Sequence, residues 1–306
     1  MPLDARIDTI RAATANDPSH DELRRLEAGL DSLQAVPETP RGAFRRTLDG
    51  VLPPILLLIA LVAAWQAYIL IAKPRPDLIP GPVDVFGALV SAWSSDRLQL
   101  AVGTSLERGG LGFLIAVAIG TPIGLLLAEC RPVRRAVGPL LSGLQVLPSV
   151  AWVPAAIIWF GLTDATVYFV ILMGAIPSIA NGLVSGVDQI PPQLRRVGTV
   201  LGASRLQMAT LVVLPAALPG YFSGLKQGWA FAWRSLMAAE IIVIGGNIGF
   251  GLGSMLHQSR ELADLSGVLA TILVILFVGI LVELVIFAPI ERRLLRRRGL
   301  MAAGLR

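Results

Sequence analysis

Charged residues are scarce in this chain. They make up 15% of its 306 residues, whereas a soluble globular domain carries about 25%. Hydrophobic residues make up 54%, and the mean hydropathy is +0.70. Apolar stretches of about 20 residues, the length that crosses a bilayer as a helix, recur along the chain. The composition therefore indicates an all-α protein that crosses a membrane several times.

Residues that build disulfides, metal sites and nucleotide sites are also scarce. Cys130 is the single cysteine, and the two histidines, His20 and His257, lie far apart in polar segments. The two lysines, Lys73 and Lys226, do not follow a glycine, so the chain lacks the Gly-Lys-Ser/Thr end of a P-loop. A membrane enzyme would also need a Ser/His pair or paired intramembrane aspartates, which are missing. We expect no metal, no cofactor and no enzymatic activity in this chain.

Six apolar segments are predicted to span the membrane. Their approximate bounds are 51–72, 105–128, 136–160, 165–187, 217–244 and 266–289. Prolines interrupt several of them, including Pro148 and Pro154 in the third span and Pro177 in the fourth. Because such a proline frees backbone groups that lipid cannot satisfy, the breaks are expected to face protein or a watery cavity. The pattern favours a transporter over a receptor or a simple anchor.

The net charge of +5 comes from arginines placed between the apolar segments. Arginines cluster before the first span and after the second, fourth and sixth: Arg41, Arg45, Arg46, Arg131, Arg134, Arg135, Arg195, Arg196, Arg205, Arg292, Arg293, Arg296, Arg297 and Arg298. This placement is the orientation signal of a membrane protein, and it predicts that both termini are cytoplasmic. It does not indicate a nucleic-acid partner.

The chain is predicted to have three parts. Residues 1–48 are cytoplasmic amphipathic helices, 49–291 form the transmembrane domain, and 292–306 form a basic cytoplasmic tail. In the first part, four leucines recur at spacings of three and four: Leu23, Leu26, Leu30 and Leu33. This spacing predicts one apolar helix face, which either packs on the protein and lipid headgroups or docks a partner subunit.

A cytoplasmic stretch between the fourth and fifth spans reads LGASRLQMATLVVLPAALPG, from Leu201 to Gly220. We expect a helix over about 194–210, with residues 202–204 (Gly-Ala-Ser) as a patch that another protein can approach closely. Pro215 is expected to mark the start of the fifth span. The residues alone leave two alternatives. The helix either passes movement of a soluble partner into a span, or it is a packed loop.

The stretch resembles the coupling motif of ATP-binding-cassette (ABC) importer permeases. In that motif an acid and two alanines are followed three residues later by glycine, and thirteen residues after the glycine by the proline of a Leu-Pro pair. Gly202, Leu214 and Pro215 fall on this spacing, whereas Arg196 occupies the position of the acid. Over roughly residues 50–295, LIPGPVDVFGAL, LPSVAWVPAAIIWFG and WRSLMAAEII further resemble the nitrate/sulfonate/taurine branch of the family.

This resemblance implies a type I ABC importer fold, with the chain as a permease subunit in the cytoplasmic (inner) membrane of a prokaryote. It implies four kinds of partner: a second permease copy, two cytoplasmic ATPase subunits that bind ATP and Mg²⁺, an extracytoplasmic solute-binding protein, and membrane lipid. The residues implied in coupling to the ATPase are Arg196, Leu201, Gly202, Ala203, Ser204, Leu214 and Pro215.

The implied function is import of a small anion by alternating access. An alkanesulfonate, taurine or nitrate fits the resemblance, and a pyrimidine or vitamin precursor is the alternative within the family. A stand-alone secondary transporter is the alternative from another class. The absence of a clear internal repeat speaks against that last class.

Polar residues inside the predicted spans are candidates for the translocation pathway: Gln145, Ser149, Trp152, Lys226, Arg234 and Glu240. A charge near mid-membrane costs about 2.5–3.5 kcal/mol on insertion scales. Lys226 lies near enough to the inner end of its span to snorkel. Arg234 either pairs inside the bundle or lines the pathway and attracts an anion. For Glu240 we favour a structural or gating role.

Three of these candidates, Gln145, Ser149 and Trp152, flank the break at Pro148. Pore lining and packing against a neighbouring helix both stay open for them. Arg108, at the outer start of the second span, is expected to be interfacial. Glu283 in the last span has no partner that the sequence identifies.

Overall fold

The computed structural model describes residues 43–75, 78–245 and 248–297. Of the predicted N-terminal part, 1–48, residues 1–42 lie outside these ranges, as do the last nine residues of the basic tail. The chain divides into two units, Met1–Ala64 and Trp65–Arg306. The described part of the first unit is the beginning of helix α1, Ala43–Ala72, whose most apolar window is Ile55–Ala72.

Regular structure in the described residues is helical throughout. After α1, the helices are α2 Pro82–Ser94, α3 Arg97–Glu129, α4 Arg131–Val146, α5 Val153–Phe160, α6 Asp164–Asp188, α7 Pro192–Val200, α8 Leu214–Ile242, α9 Leu252–Glu261, α10 Leu265–Val282 and α11 Ala288–Arg297. A 3₁₀ turn, Ser149–Trp152, precedes α5. The single turn Arg205–Gln207 and a π-helical turn, Met208–Val213, lead into α8, and Glu283–Phe287 is a second π-helical turn before α11.

Five helical stretches are long and apolar enough to cross a membrane: Ile55–Ala72, Arg97–Glu129, Asp164–Asp188, Met208–Ile242 and Leu265–Arg296. The predicted third span differs, because α4 and Ser149–Phe160 form a pair bent by 99°. Leu147, held before Pro148, is extended at φ −70° and ψ 123°, as the proline ring requires. The all-helical fold with five or six spans is confirmed, and the predicted third span is broken at Pro148, as its proline indicates.

The prolines within the other spans do not interrupt them. Pro177 lies inside α6, where it is buried, and Pro122 lies inside α3. The helix continues past each proline although its ring removes one backbone hydrogen bond, and packing against neighbouring helices accompanies this at Pro177. Pro219 lies inside α8 in the same way.

Glycines set the packing of the central helices. A Cβ atom at Gly224 of α8 would lie 2.5 Å from the Cα atom of Gly182 in α6, and Gly220 meets Gly186 equally closely. The two antiparallel backbones therefore touch, as small residues allow in membrane helices. Helix α3 runs parallel to α6, and its Gly120 packs against Ile179.

This arrangement brings three arginine-rich segments to one end of the bundle. Helices α3 and α6 are parallel, so the segments that follow them lie at the same end. Helix α8 runs in the opposite direction, and α11 contacts its first half through Lys226 and Glu291, so α11 lies at that end too. Arg134 pairs with Asp188 at 2.5 Å between two of these segments. We call this the basic end. Its cytoplasmic orientation stays a prediction that the positive-inside bias supports.

Candidate functional site

The predicted continuous helix over 194–210 is wrong, because the chain turns at Gly202. Helix α7 ends at Val200, and Gly202 has φ +72°, a left-handed conformation that glycine adopts without Cβ strain. The N–H of Ala203 donates to the carbonyl of Gly198 at 3.0 Å, as in a Schellman C-terminus. A Cβ atom at Gly202 would meet nothing within 4 Å. Within this chain, the turn itself therefore requires the glycine.

Ser204 begins the next helical segment as its N-cap. The N–H of Ser204 donates to Oε1 of Gln207 at 2.9 Å, and the N–H of Gln207 donates to Oγ of Ser204 at 3.3 Å. This reciprocal pair is a capping box. Sequence reasoning missed it, although Ser-x-x-Gln after a glycine is its signal. The turn is thus fixed from both sides.

The segment around this turn presents apolar side chains to the outside. Those more than 40% exposed are Leu194, Val197, Val200, Leu201 and Leu206, and Arg196 is exposed among them. We call these six residues, with Gly202, Ala203 and Ser204, the coupling surface. An exposed apolar patch of this kind marks a site of contact with protein or lipid.

The coupling surface is joined firmly to α8. A Cβ atom at Gly198 would lie 2.7 Å from Cε of Met208, so α7 packs directly on the π-helical turn. Helix continues without a break from Arg205 to Ile242, and Leu214 and Pro215 are half-buried at the start of α8. Packing and continuous helix therefore connect the coupling surface to α8.

Gln145 and Ser149 tie the bent pair to its neighbours. Nε2 of Gln145 donates to Oγ of Ser178 in α6 at 2.9 Å, and Nδ2 of Asn181 donates to Oε1 of Gln145 at 2.8 Å. The hydroxyl of Ser235 in α8 lies 2.6 Å from that of Ser149. These polar groups satisfy one another at the bend, where the backbone is irregular.

Trp152 packs beside the same bend. Its ring meets Phe169 of α6 edge-to-face, with centroids 6.1 Å apart. Pore lining and packing against a neighbouring helix were both left open for Gln145, Ser149 and Trp152. The contacts that they make in the structure are contacts with neighbouring helices.

Glu240 lies in a buried ionic cluster at the end of the bundle opposite the basic end. Its side chain is fully buried and accepts hydrogen bonds from Ser105 (2.7 Å), Arg108 (3.2 Å) and the N–H of Gly253 (3.0 Å). Arg108 also pairs with Asp164 at 2.8 Å and is 5% exposed, so it is buried between helices. Its expected depth near the membrane interface stays a prediction. Glu240 thus joins α3, α8 and α9 and does not face an open pathway in this conformation.

The glycines before α9 allow this approach. A Cβ atom at Gly251 would lie 2.5 Å from a carboxylate oxygen of Glu240, and one at Gly253 would overlap its Cβ. The carboxylate lies at the N-terminus of α9, where the helix dipole favours negative charge.

Lys226 joins the last two spans. Its Nζ lies 2.7 Å from Glu283 and 2.9 Å from Glu291. These contacts explain Glu283, for which the sequence identified no partner. They also place Lys226 in a contact between helices, so its charge is compensated within the chain.

Arg234 differs from every other charged residue of Met208–Ile242. Its side chain is exposed, its Nε donates to the carbonyl of Ala230 at 3.2 Å, and its guanidinium lies 4.6 Å from the ring centre of Phe231. It forms no ion pair with a described residue. Ser223 and Gln227 are also exposed. Ser223 and Gln227 are four residues apart and Gln227 and Arg234 are seven apart, which places all three on one side of α8. We call Ser223, Gln227 and Arg234 the polar stripe.

Comparison with known families identifies the chain. The model for "Binding-protein-dependent transport system inner membrane component" matches residues 120–296, more than half of the sequence. The chain belongs to this family. It is a multi-pass inner-membrane permease of a binding-protein-dependent ABC importer, and it is not itself the ATPase. Such a permease works with an ATPase and a binding protein.

Individual relatives agree. The bicarbonate transport system permease protein of Synechococcus elongatus is 30% identical over 271 residues, which are 83% of this chain and 92% of the relative. The taurine transport system permease protein of Escherichia coli is 29% identical over 242 residues, or 78% of this chain and 86% of the relative.

A solved structure of the MetNI methionine ABC transporter in inward-facing conformations shares the fold. Its TM-score is 0.54 at 21% identity, over 63% of this chain and 94% of that chain. The predicted type I importer fold and the resemblance to ABC importer permeases are therefore confirmed.

Proposed function

We propose that this permease imports a small anion of the alkanesulfonate, taurine or nitrate type across the cytoplasmic membrane of a prokaryote. Two copies form the pathway, two ATPase subunits bind ATP and Mg²⁺, and a solute-binding protein delivers the anion to the outer face. We expect no cofactor in the chain itself. The names of the relatives support an anionic substrate, since bicarbonate is an anion and taurine carries a sulfonate group.

The coupling surface is the observation that carries the proposed mechanism. It lies at the basic end, which the positive-inside bias assigns to the cytoplasm together with both termini. Apolar side chains as exposed as Val200 and Leu201 are stabilised there by a protein partner that covers them. Closure of the ATPase pair would displace this surface, and the unbroken helix Arg205–Ile242 would carry the displacement into the membrane. That movement alternates access to the pathway.

Arg196 extends the proposal to the partner. By its resemblance to the coupling motif, it occupies the position of the motif's acid, and its side chain is exposed. Its charge is therefore opposite to the usual one at this position. We expect an acidic side chain in the facing groove of the ATPase, since like charges placed opposite one another weaken binding.

The test is recovery of the tagged full chain from its native membrane, with the co-purifying proteins identified. We expect a P-loop ATPase, and we expect Leu201→Asp to abolish its recovery, because the carboxylate would be buried in an apolar contact. Leu262→Asp is the matched control. Leu262 is also highly exposed, 71% against 79% for Leu201, but it lies at the opposite end of the bundle.

Two results would overturn the proposal. If Leu201→Asp recovered as much ATPase as the unmodified chain does, the coupling surface would not be the binding site of the ATPase. Gradient-driven uptake by the chain alone, with no ATPase present, would show a secondary transporter.

A further inference from the structure

We infer that the polar stripe of α8 is an anion-binding surface within the membrane, with Arg234 as the residue that binds the anion. The inference rests on the proposed function and extends it, because it locates recognition of the substrate charge in this chain as well as in the binding protein. The ligand class is a small oxyanion, such as a sulfonate or nitrate.

The charges of Met208–Ile242 lead to Arg234. This span carries three charged residues, Lys226, Arg234 and Glu240. Lys226 pairs with two glutamates and Glu240 is held by Arg108, so both are compensated. Arg234 has no such partner among the described residues. A cation inside a span is retained where water or a counter-ion stabilises it.

The donors of Arg234 are largely unused. A guanidinium has five N–H groups, and in the described part of the chain one of them, at Nε, donates to a carbonyl. The contact with Phe231 covers a flat face of the group, while hydrogen bonds form at its edge. The remaining N–H groups have the planar geometry that binds two oxygens of an oxyanion.

The stripe faces away from its own bundle. Gly224 and Gly228 of α8 pack against α6, and Ser235 is buried at the bend. The residues of the stripe lie on another side of the same helix and are exposed. Gln227 makes no hydrogen bond with a described residue. Lipid would leave its amide and the guanidinium unsatisfied, whereas a water-filled pathway shared with a second copy would solvate both.

The charge of this surface selects its ligand. The carboxylates of Glu240 and Glu283 are both held in contacts elsewhere, so the exposed side of α8 contributes one positive charge and no negative charge. In a two-fold dimer, the same stripe from each copy would face one pathway. Two arginines would then attract an anion and repel a cation.

The experiment uses the accessibility of cysteines in the full complex. Cys130→Ser removes the single natural thiol, and Gln227→Cys or Ser223→Cys then places one in the stripe. The probes are methanethiosulfonates of equal reach, one carrying a sulfonate and the other a quaternary ammonium. Ile272→Cys is the control on the exposed apolar side of α10, where lipid should block both reagents.

We expect both stripe positions to react and the anionic reagent to be favoured. Arg234→Gln should lower the ratio of anionic to cationic rates by about threefold at Gln227→Cys, about 10 Å along the helix, because the charge acts on the two reagents in opposite directions. The change should be smaller at Ser223→Cys, about 16 Å along the helix. Two positions are used so that one poorly tolerated substitution does not decide the outcome.

Failure of this inference differs from failure of the proposed function. An importing complex whose stripe does not react, or whose rate ratio is unchanged by Arg234→Gln, would overturn the anion site and leave the importer intact. A reactive, anion-selective stripe in a complex that imports only neutral or cationic solutes would support the site and overturn the proposed substrate class.

Discussion

Glu240 and Arg234 lie six residues apart on α8 and differ in almost every physical respect. Glu240 is fully buried and receives hydrogen bonds from two other helices, α3 and the first turn of α9. Arg234 is exposed and contacts its own helix. The first charge is already compensated within the fold, whereas the second is available to a ligand. The comparison teaches that a charge inside a span indicates function only after its partners have been identified.

The largest expected effect on stability is at Arg108. Arg108→Met would leave the buried carboxylate of Glu240 without its cation, and breaking a buried pair in this way costs about 3–5 kcal/mol. The free energy of unfolding in detergent micelles measures the loss. Arg260→Met is the matched control, because Arg260 and its partner Glu261 are both exposed. Equal losses in the two variants would contradict the structural role of the Glu240 cluster.

A smaller loss of stability is expected from a change at Lys226, which lies in α8 with Arg234 and Glu240. Lys226→Met would leave Glu283 and Glu291 close together, but each is 40% exposed and can be solvated in part. We expect a loss of about 1 kcal/mol. Adding Glu283→Gln to Lys226→Met should recover part of it, and a double-mutant cycle measures the coupling. Independent, additive losses would show that the ion pair does not join the spans.

The spans could be predicted from the sequence because they depend on local composition. The fourth predicted span, 165–187, became Asp164–Asp188, and the break at Pro148 was expected from the proline itself. The 99° bend was not predictable, since it depends on Ser149 and Gln145 finding partners on other helices. Local signals also existed at Gly202 and Ser204, where the turn and the capping box were missed.

The ionic partners could not be predicted from one sequence. Arg108 meets Glu240 across 132 positions of the chain, and Lys226 meets Glu291 across 65. Such pairs are fixed by the packing of helices, which hydropathy does not describe. The burial of Arg108 between helices could not be predicted for the same reason. Exposure of Arg234 likewise became evident only when the packed side of α8 was known.

The most direct test of the account is the paired measurement of stability and transport in Arg234→Gln. We predict that ATP-driven uptake of the anion by the reconstituted complex falls about tenfold or more, since a charge-assisted hydrogen bond to the ligand is lost. The free energy of unfolding should change by less than about 0.5 kcal/mol, as at other exposed positions. Arg292→Gln, which removes an exposed charge at the basic end, should leave uptake unchanged. Full uptake by Arg234→Gln, or a loss of stability equal to that of Arg108→Met, would contradict the account.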